Sequence, residues 1–211
     1  MSFFLDKNEQ SRADSFHFLK DKQHFASTRG LLRVLLGNYL GVAPGELRFS
    51  YNAYGKPSLA DTVNGSGLRF NVSHSNDIAL YAITAGREVG VDIEYVRPMD
   101  PADLVPEQFF SPREVAELRS LPTHLQQTAF YTCWTRKEAY IKAVGKGLSL
   151  GLDQFDVSFR PGEPAALLRV SGDAQEAARW ALREITPAPD YVGALAVEGH
   201  DWRLQCWQWQ G

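Results

Sequence analysis

Gly90-Val91-Asp92-Ile93-Glu94 alternates carboxylates with branched apolar side chains at a period of two. A β-strand sends residues two apart to the same face, so Asp92 and Glu94 share one face while Val91 and Ile93 pack inward. Upstream, Leu47 to Ser50, Leu68 to Val72 and Ile78 to Thr84 read as further strands, and the strand Glu88 to Ile93 carries all of the quoted stretch but its last residue. Ahead of these strands, Lys22 to Leu40 places Phe25, Leu32, Leu36 and Tyr39 at helical spacing and stops at Gly41. Downstream, Val96-Arg97-Pro98-Met99-Asp100-Pro101 interrupts any regular element with two closely spaced prolines. That junction divides the chain into halves, 1–97 and 98–211.

The second half repeats the order of helix first, strands after. Ser111-Pro112-Arg113-Glu114 combines an N-cap, a proline at the first helical position and a capping-box glutamate. A longer helix is predicted from Thr123 to Val144, ending at Gly145. Strands are predicted at Phe155 to Phe159, Ala166 to Val170, Trp180 to Ile185, Tyr191 to Val197 and Trp202 to Trp209. Helix followed by antiparallel strands, twice over, predicts an α+β fold of two similar halves, although no sequence repeat links them.

Composition narrows the function. The 211 residues are 44% hydrophobic and 22% charged, ordinary values that exclude wholesale disorder and a coiled coil. A net charge of −3 argues against a surface built to grip nucleic acid. Cys133 and Cys206 supply neither a disulfide framework nor a zinc cluster. Met1 to Gln10 carries Asp6, Lys7 and Glu9 and lacks a signal-peptide core, and no apolar run reaches membrane-spanning length. The expectation is a cytoplasmic protein without membrane attachment.

Four stretches can carry chemistry. Asp92 and Glu94, side by side, repel each other, and a hard divalent cation relieves that repulsion; a solvated acidic face is the plainer alternative. In Trp134-Thr135-Arg136-Lys137-Glu138-Ala139-Tyr140-Ile141-Lys142, Glu138 and Lys142 are neighbours on one helical face. They read either as a surface ion pair or, flanked by Trp134 and Ile141, as a half-buried pair suited to a metal and a phosphate. Phe70-Asn71-Val72-Ser73-His74-Ser75 runs a strand into a polar tip able to hold phosphate oxygens. Ser73 and His74 point apart on an extended chain, so they are not read as a nucleophile and its base. Tyr54-Gly55-Lys56-Pro57 is a turn presenting one lysine. Gly145-Lys146-Gly147-Leu148-Ser149-Leu150 lacks the Gly-Lys-Ser/Thr end of a phosphate loop and follows a helix, so that reading is rejected.

Taken in order, these pieces resemble the 4′-phosphopantetheinyl transferases, specifically the long single-chain type that activates peptide synthetases. The resemblance runs from about Arg12 to Phe155. It rests on Tyr-Gly-Lys-Pro at 54–57, Asn-Val-Ser-His-Ser at 71–75, Gly-Val-Asp-Ile-Glu at 90–94, Phe-Phe-Ser-Pro-Arg-Glu at 109–114 and Trp-Thr-Arg-Lys-Glu-Ala-Tyr-Ile-Lys at 134–142. It implies transfer of the phosphopantetheine arm of coenzyme A to a serine of an apo acyl or peptidyl carrier protein, releasing adenosine 3′,5′-bisphosphate. It also implies a pseudo-two-fold pair of α+β halves with the active site in the cleft between them, acting as a monomer.

Under the same resemblance, Mg²⁺, or Mn²⁺ in its place, is held by Asp92, Glu94 and Glu138. Coenzyme A falls to Arg12, Lys56, Ser73, His74, Asp92, Lys137 and Lys142, with His74 near the 3′-phosphate. Lys142 stabilises the departing phosphate, and Glu138, or Glu114 through water, takes the serine proton. Phe109, Phe110 and Leu118 are either carrier-docking residues or core. A non-catalytic coenzyme A or carrier-binding module and a metal-dependent phosphodiesterase are the competing functions.

Overall fold

Asp6 and Glu9 open the first helix, α1 (Lys7–Asp14), each side chain accepting the other's backbone N–H in a reciprocal cap. The computed structural model describes residues 4–60, 67–97 and 104–209. Helix α2 (Leu19–Leu40) ends at Gly41, which takes the left-handed conformation (φ +68°) that glycine adopts without steric cost. A two-stranded antiparallel sheet of β1 (Phe49–Tyr51) and β2 (Pro57–Leu59) follows. These elements belong to the first of two compact units, Met1–Arg69.

The first unit is tied together by Arg33. Its guanidinium, fully buried, donates to Glu9, Asp6 and the Pro44 and Leu47 carbonyls. Arg29 pairs with the same Glu9. A buried arginine with this many acceptors escapes the cost of an unpaired charge. The sequence reading missed α1 for the same reason: its buried residues are Glu9 and Ala13, so no apolar stripe marks it.

The second unit, Phe70–Gly211, carries the candidate site. It contains neighbouring strands β3 (Leu68–Ser75, the first two residues before the division) and β4 (Ile78–Ala85), then β5 (Val89–Tyr95). Helices α3 (Pro112–Ser120) and α4 (Thr123–Val144) follow, then the paired β6 (Phe155–Val157) and β7 (Leu167–Val170). Strands β8 (Trp180–Ile185) and β9 (Tyr191–Glu198) complete an antiparallel sheet in the order β5-β9-β8. Helix and sheet are thus mixed, with antiparallel strand pairs, as the α+β reading expects.

Helix α4 lies on the β5-β9 face across a patch of small residues. In the β5-β9 register Gly90 faces Ala196 and Asp92 faces Ala194, so these four share one face of the sheet. Ala194 and Ala196 are fully buried, as are Ala139 and Ala143 of α4. A Cβ on Gly90 would lie 2.1 Å from the Ala139 carbonyl oxygen and 2.3 Å from the Ala143 nitrogen. The helix backbone therefore sits directly against the strand. The opposite face of β5 is covered too: Val89 and Val91 pack with Leu195, Val197 and Trp202. Asp92 and Glu94 consequently lie on a helix-covered face, not on an open acidic edge.

One expected strand does not form. Trp202 to Trp209 forms no strand; Trp202 packs on the sheet, while Leu204, Trp207 and Trp209 are exposed. Strand-forming residues need an open edge to pair with, and composition cannot supply one. Phe110 and Leu118 are core residues, and Phe109, partly buried, packs edge-on against Trp134. The Pro98 and Pro101 junction lies outside the described residues.

Gly90→Ala forces α4 off the sheet, because the obstructing atoms are backbone and cannot rotate away. The expected cost is about 3 kcal/mol of unfolding free energy, the upper end for overpacking, checked by denaturant melts.

Candidate active site

Strand β3, strand β5 and helix α4 each bring polar side chains to one cleft of about 330 Å³, lined by Val72, Ser73, His74, Asp92, Glu94, Trp134, Glu138 and Lys142. The strand alternation puts Asp92 and Glu94 on the face that α4 covers. Glu138 and Lys142, four residues apart, project from the same side of the helix. Lys142 makes its close ion pair across to the strand: its Nζ is 2.6 Å from Asp92 Oδ1 and 2.9 Å from Ser73 Oγ. Ser73 Oγ also donates to Asp92 Oδ1 at 2.8 Å, and Ser75 Oγ donates to Glu94 Oε2 at 3.0 Å.

Asp92 is 4% exposed, and while its Oδ1 has two donors, its Oδ2 is buried without any hydrogen-bond partner. A buried carboxylate oxygen left bare costs on the order of 1–3 kcal/mol or more. Around it sit two further carboxylates under strain. Glu94 is pushed above its ordinary pKa first by burial and then by the charge of Asp92, with Ser75 and Lys142 pulling it back. Glu138 is pushed up by burial and then Asp92, against the opposing pull of Lys142.

A hard cation suits this donor set: it would complete Asp92 Oδ2 and cancel the repulsion that raises Glu94 and Glu138. Among the described residues no three such side chains already converge as a finished metal cage.

The other expected site residues are placed differently. Ser73 and His74 line the cleft, Ser73 buried and His74 exposed. Arg12 and Lys56 belong to the first unit: Arg12 in α1 stacks over Phe25, and Lys56 sits in the turn between β1 and β2.

Lys137 and Glu114 are not brought to the cleft. Lys137 is fully buried, its Nζ 2.7 Å from Glu114 Oε2 and donating to the carbonyls of Leu152 and Phe155. Glu114 accepts from the backbone of Ser111 and Val157. All of this pair's charge is spent joining α3, α4 and β6. Beside it, burial and then Glu114 hold the Cys133 thiol well above its usual pKa, so that sulfur is inert. The sequence offers Ser75 for phosphate oxygens and Trp134 as an apolar flank; in the structure Ser75 donates to Glu94 and Trp134 lines the cleft.

Residues 88–196 match the sequence model of the 4′-phosphopantetheinyl transferase superfamily, and residues 1–86 match that of the 4′-phosphopantetheinyl transferase N-terminal region. The chain is 42% identical to 4′-phosphopantetheinyl transferase HetI of Nostoc sp. (strain PCC 7120), over 97% of this chain and 83% of that protein. It is 30% identical to 4′-phosphopantetheinyl transferase Sfp of Bacillus subtilis (strain 168), over 73% of this chain and 66% of that one. A solved Chronobacterium ammoniagenes ACPS-CoA complex aligns at 22% identity over 54% of this chain and 98% of that chain, with a TM-score of 0.37.

Two outcomes follow for stability. Because Glu138 titrates above its ordinary value of 4.5 in the folded protein, its contribution is favourable below that pH and is lost as pH rises through the raised value. Glu138→Gln should therefore raise the melting temperature of chelator-treated protein at pH 7–8, with the gain shrinking toward pH 4.5, in a fluorimetric pH series. Glu114→Gln leaves Lys137 charged and buried without its counter-ion, and should cost about 3–5 kcal/mol in denaturant unfolding.

Proposed function

The chain belongs to the 4′-phosphopantetheinyl transferase superfamily, and on that premise we propose that its acidic cleft is where the phosphopantetheine arm leaves coenzyme A. The enzyme transfers the 4′-phosphopantetheine moiety of coenzyme A to a serine of an apo carrier protein. The observation that carries the assignment is Asp92 Oδ2, buried and unpartnered beside Glu94, Glu138 and Lys142.

Asp92, Glu94 and Glu138 would hold Mg²⁺, with Mn²⁺ as its substitute. When bound there, the cation neutralises the pyrophosphate of coenzyme A and lets it approach three carboxylates. Glu138, at the cleft beside the expected cation, is the candidate base for the incoming serine hydroxyl. The serine oxygen bonds to the phosphorus that bears the pantetheine arm, and the bond from that phosphorus to the oxygen of adenosine 3′,5′-bisphosphate breaks. Lys142, at the mouth of the cleft with 28% of its side chain exposed, stabilises the charge that develops on the departing phosphate.

His74 is the candidate for the 3′-phosphate, and Arg12 and Lys56 for the nucleotide end. Glu114 and Lys137, buried and paired with each other, are assigned no role in this proposal. The two family matches meet between residues 86 and 88, which supports a chain made of two halves. The pseudo-two-fold relation of those halves, their division near Arg97 and a shared cleft between them are part of the proposal.

Incubating the protein with apo acyl and peptidyl carriers, coenzyme A and Mg²⁺ should add one phosphopantetheine mass to a carrier, read by intact-protein mass spectrometry. Chelation should abolish the gain and Mg²⁺ should restore it. Glu138→Gln should lower kcat by about 10²-fold or more. No mass gain across the carrier panel, or hydrolysis of coenzyme A without any carrier, would overturn the assignment.

A further inference from the structure

Asn71, Ser73 and Ser75 lie at alternate positions of β3 and therefore on one face. All three spend their side-chain oxygens on β5, in step with its residues. Asn71 Oδ1 accepts from the Val91 backbone N–H at 2.9 Å, which pins the strand just before the acidic pair. Ser73 Oγ accepts from Lys142 Nζ at 2.9 Å and donates to Asp92 Oδ1 at 2.8 Å. Ser75 Oγ accepts from the Tyr95 backbone N–H at 3.0 Å and donates to Glu94 Oε2 at 3.0 Å.

The two serines are wired alike. In each, an N–H that can only donate points at the oxygen, so the single hydroxyl proton is directed to a carboxylate. Each hydrogen bond occupies one carboxylate oxygen and sets the rotation of the other. For Asp92 the consequence is visible: Oδ1 is saturated and Oδ2 is left bare and buried. A carboxylate aimed in this way presents a single defined oxygen to a cation. Side chains that orient metal ligands from behind typically change metal affinity 10–100-fold when removed.

We infer that Ser73 and Ser75 are positioning residues for the divalent cation, acting through Asp92 and Glu94, and that their hydroxyls are not ligands of coenzyme A. The inference rests on the cation reading of the cleft given above. It separates Ser73 from His74 within the Asn-Val-Ser-His-Ser stretch: the serine serves the carboxylate and the exposed histidine the cofactor.

The test is a Mn²⁺ titration of the full chain followed by the electron paramagnetic resonance signal of free Mn²⁺, with and without coenzyme A and with no carrier present. Ser73→Ala and Ser75→Ala should each weaken Mn²⁺ binding by about 10–100-fold. Ser75→Thr, which keeps a hydroxyl, should remain near the parent protein. The dissociation constant of coenzyme A, measured calorimetrically without metal, should stay unchanged in Ser75→Ala. If Ser73→Ala fails to fold, Ser75→Ala, at a half-buried position, decides the matter. Unchanged Mn²⁺ binding in the alanine variants overturns the inference, as does weakened coenzyme A binding with metal affinity intact. A parent protein that binds no Mn²⁺ under either condition overturns the cation reading itself, and the inference with it.

Discussion

The close seating of α4 on β5 and β9 is the constraint on which the site depends. Gly90, Ala194 and Ala196 on the sheet and Ala139 and Ala143 on the helix let two backbones approach until no Cβ fits at residue 90. Dispersion and apolar burial reward that contact, and the packing around it leaves no slack. Immediately before each of those alanines the helix carries Glu138 and Lys142, and beyond Gly90 the same strand face carries Asp92 and Glu94. Charges that the chain would otherwise keep in water are therefore pressed into one cleft. The apolar contact supplies the free energy that holds the carboxylates together.

Helix α4 carries two lysines with opposite uses. At about 100° per residue, Lys137 and Lys142 point some 140° apart. Lys137 enters the core, where it pairs with Glu114 and donates to two carbonyls. Lys142 stays part-exposed and engages Asp92 and Ser73 at the cleft. A fully satisfied buried ion pair fixes geometry, whereas a part-exposed one can exchange its partner for a substrate phosphate.

What could be read from residues in order was the set of local signals. The Ser111 cap, the Thr123 to Val144 helix with its Gly145 stop, and the Trp180 to Ile185 strand coincide with the observed elements. Each is set by backbone preference and periodicity within a few residues. Helix α1 escaped because its stability comes from ion pairs with Arg29 and Arg33, more than a dozen residues away. The expected Trp202 to Trp209 strand failed for the mirror-image reason: the propensity is present and no edge pairs with it.

By itself the sequence determined the α+β character, the strand face shared by Asp92 and Glu94, the helix face shared by Glu138 and Lys142, and the family. Those follow from periods of 2 and 3.6 and from short ordered motifs, all local in the chain. Only the tertiary structure decided that Lys142 answers Asp92 rather than Glu138, that Lys137 and Glu114 are a buried clamp, and that Ser73 and Ser75 stand behind the carboxylates. Those relations join residues 19 to 50 positions apart. Their energies depend on burial and distance, which exist only once the helix has settled on the sheet.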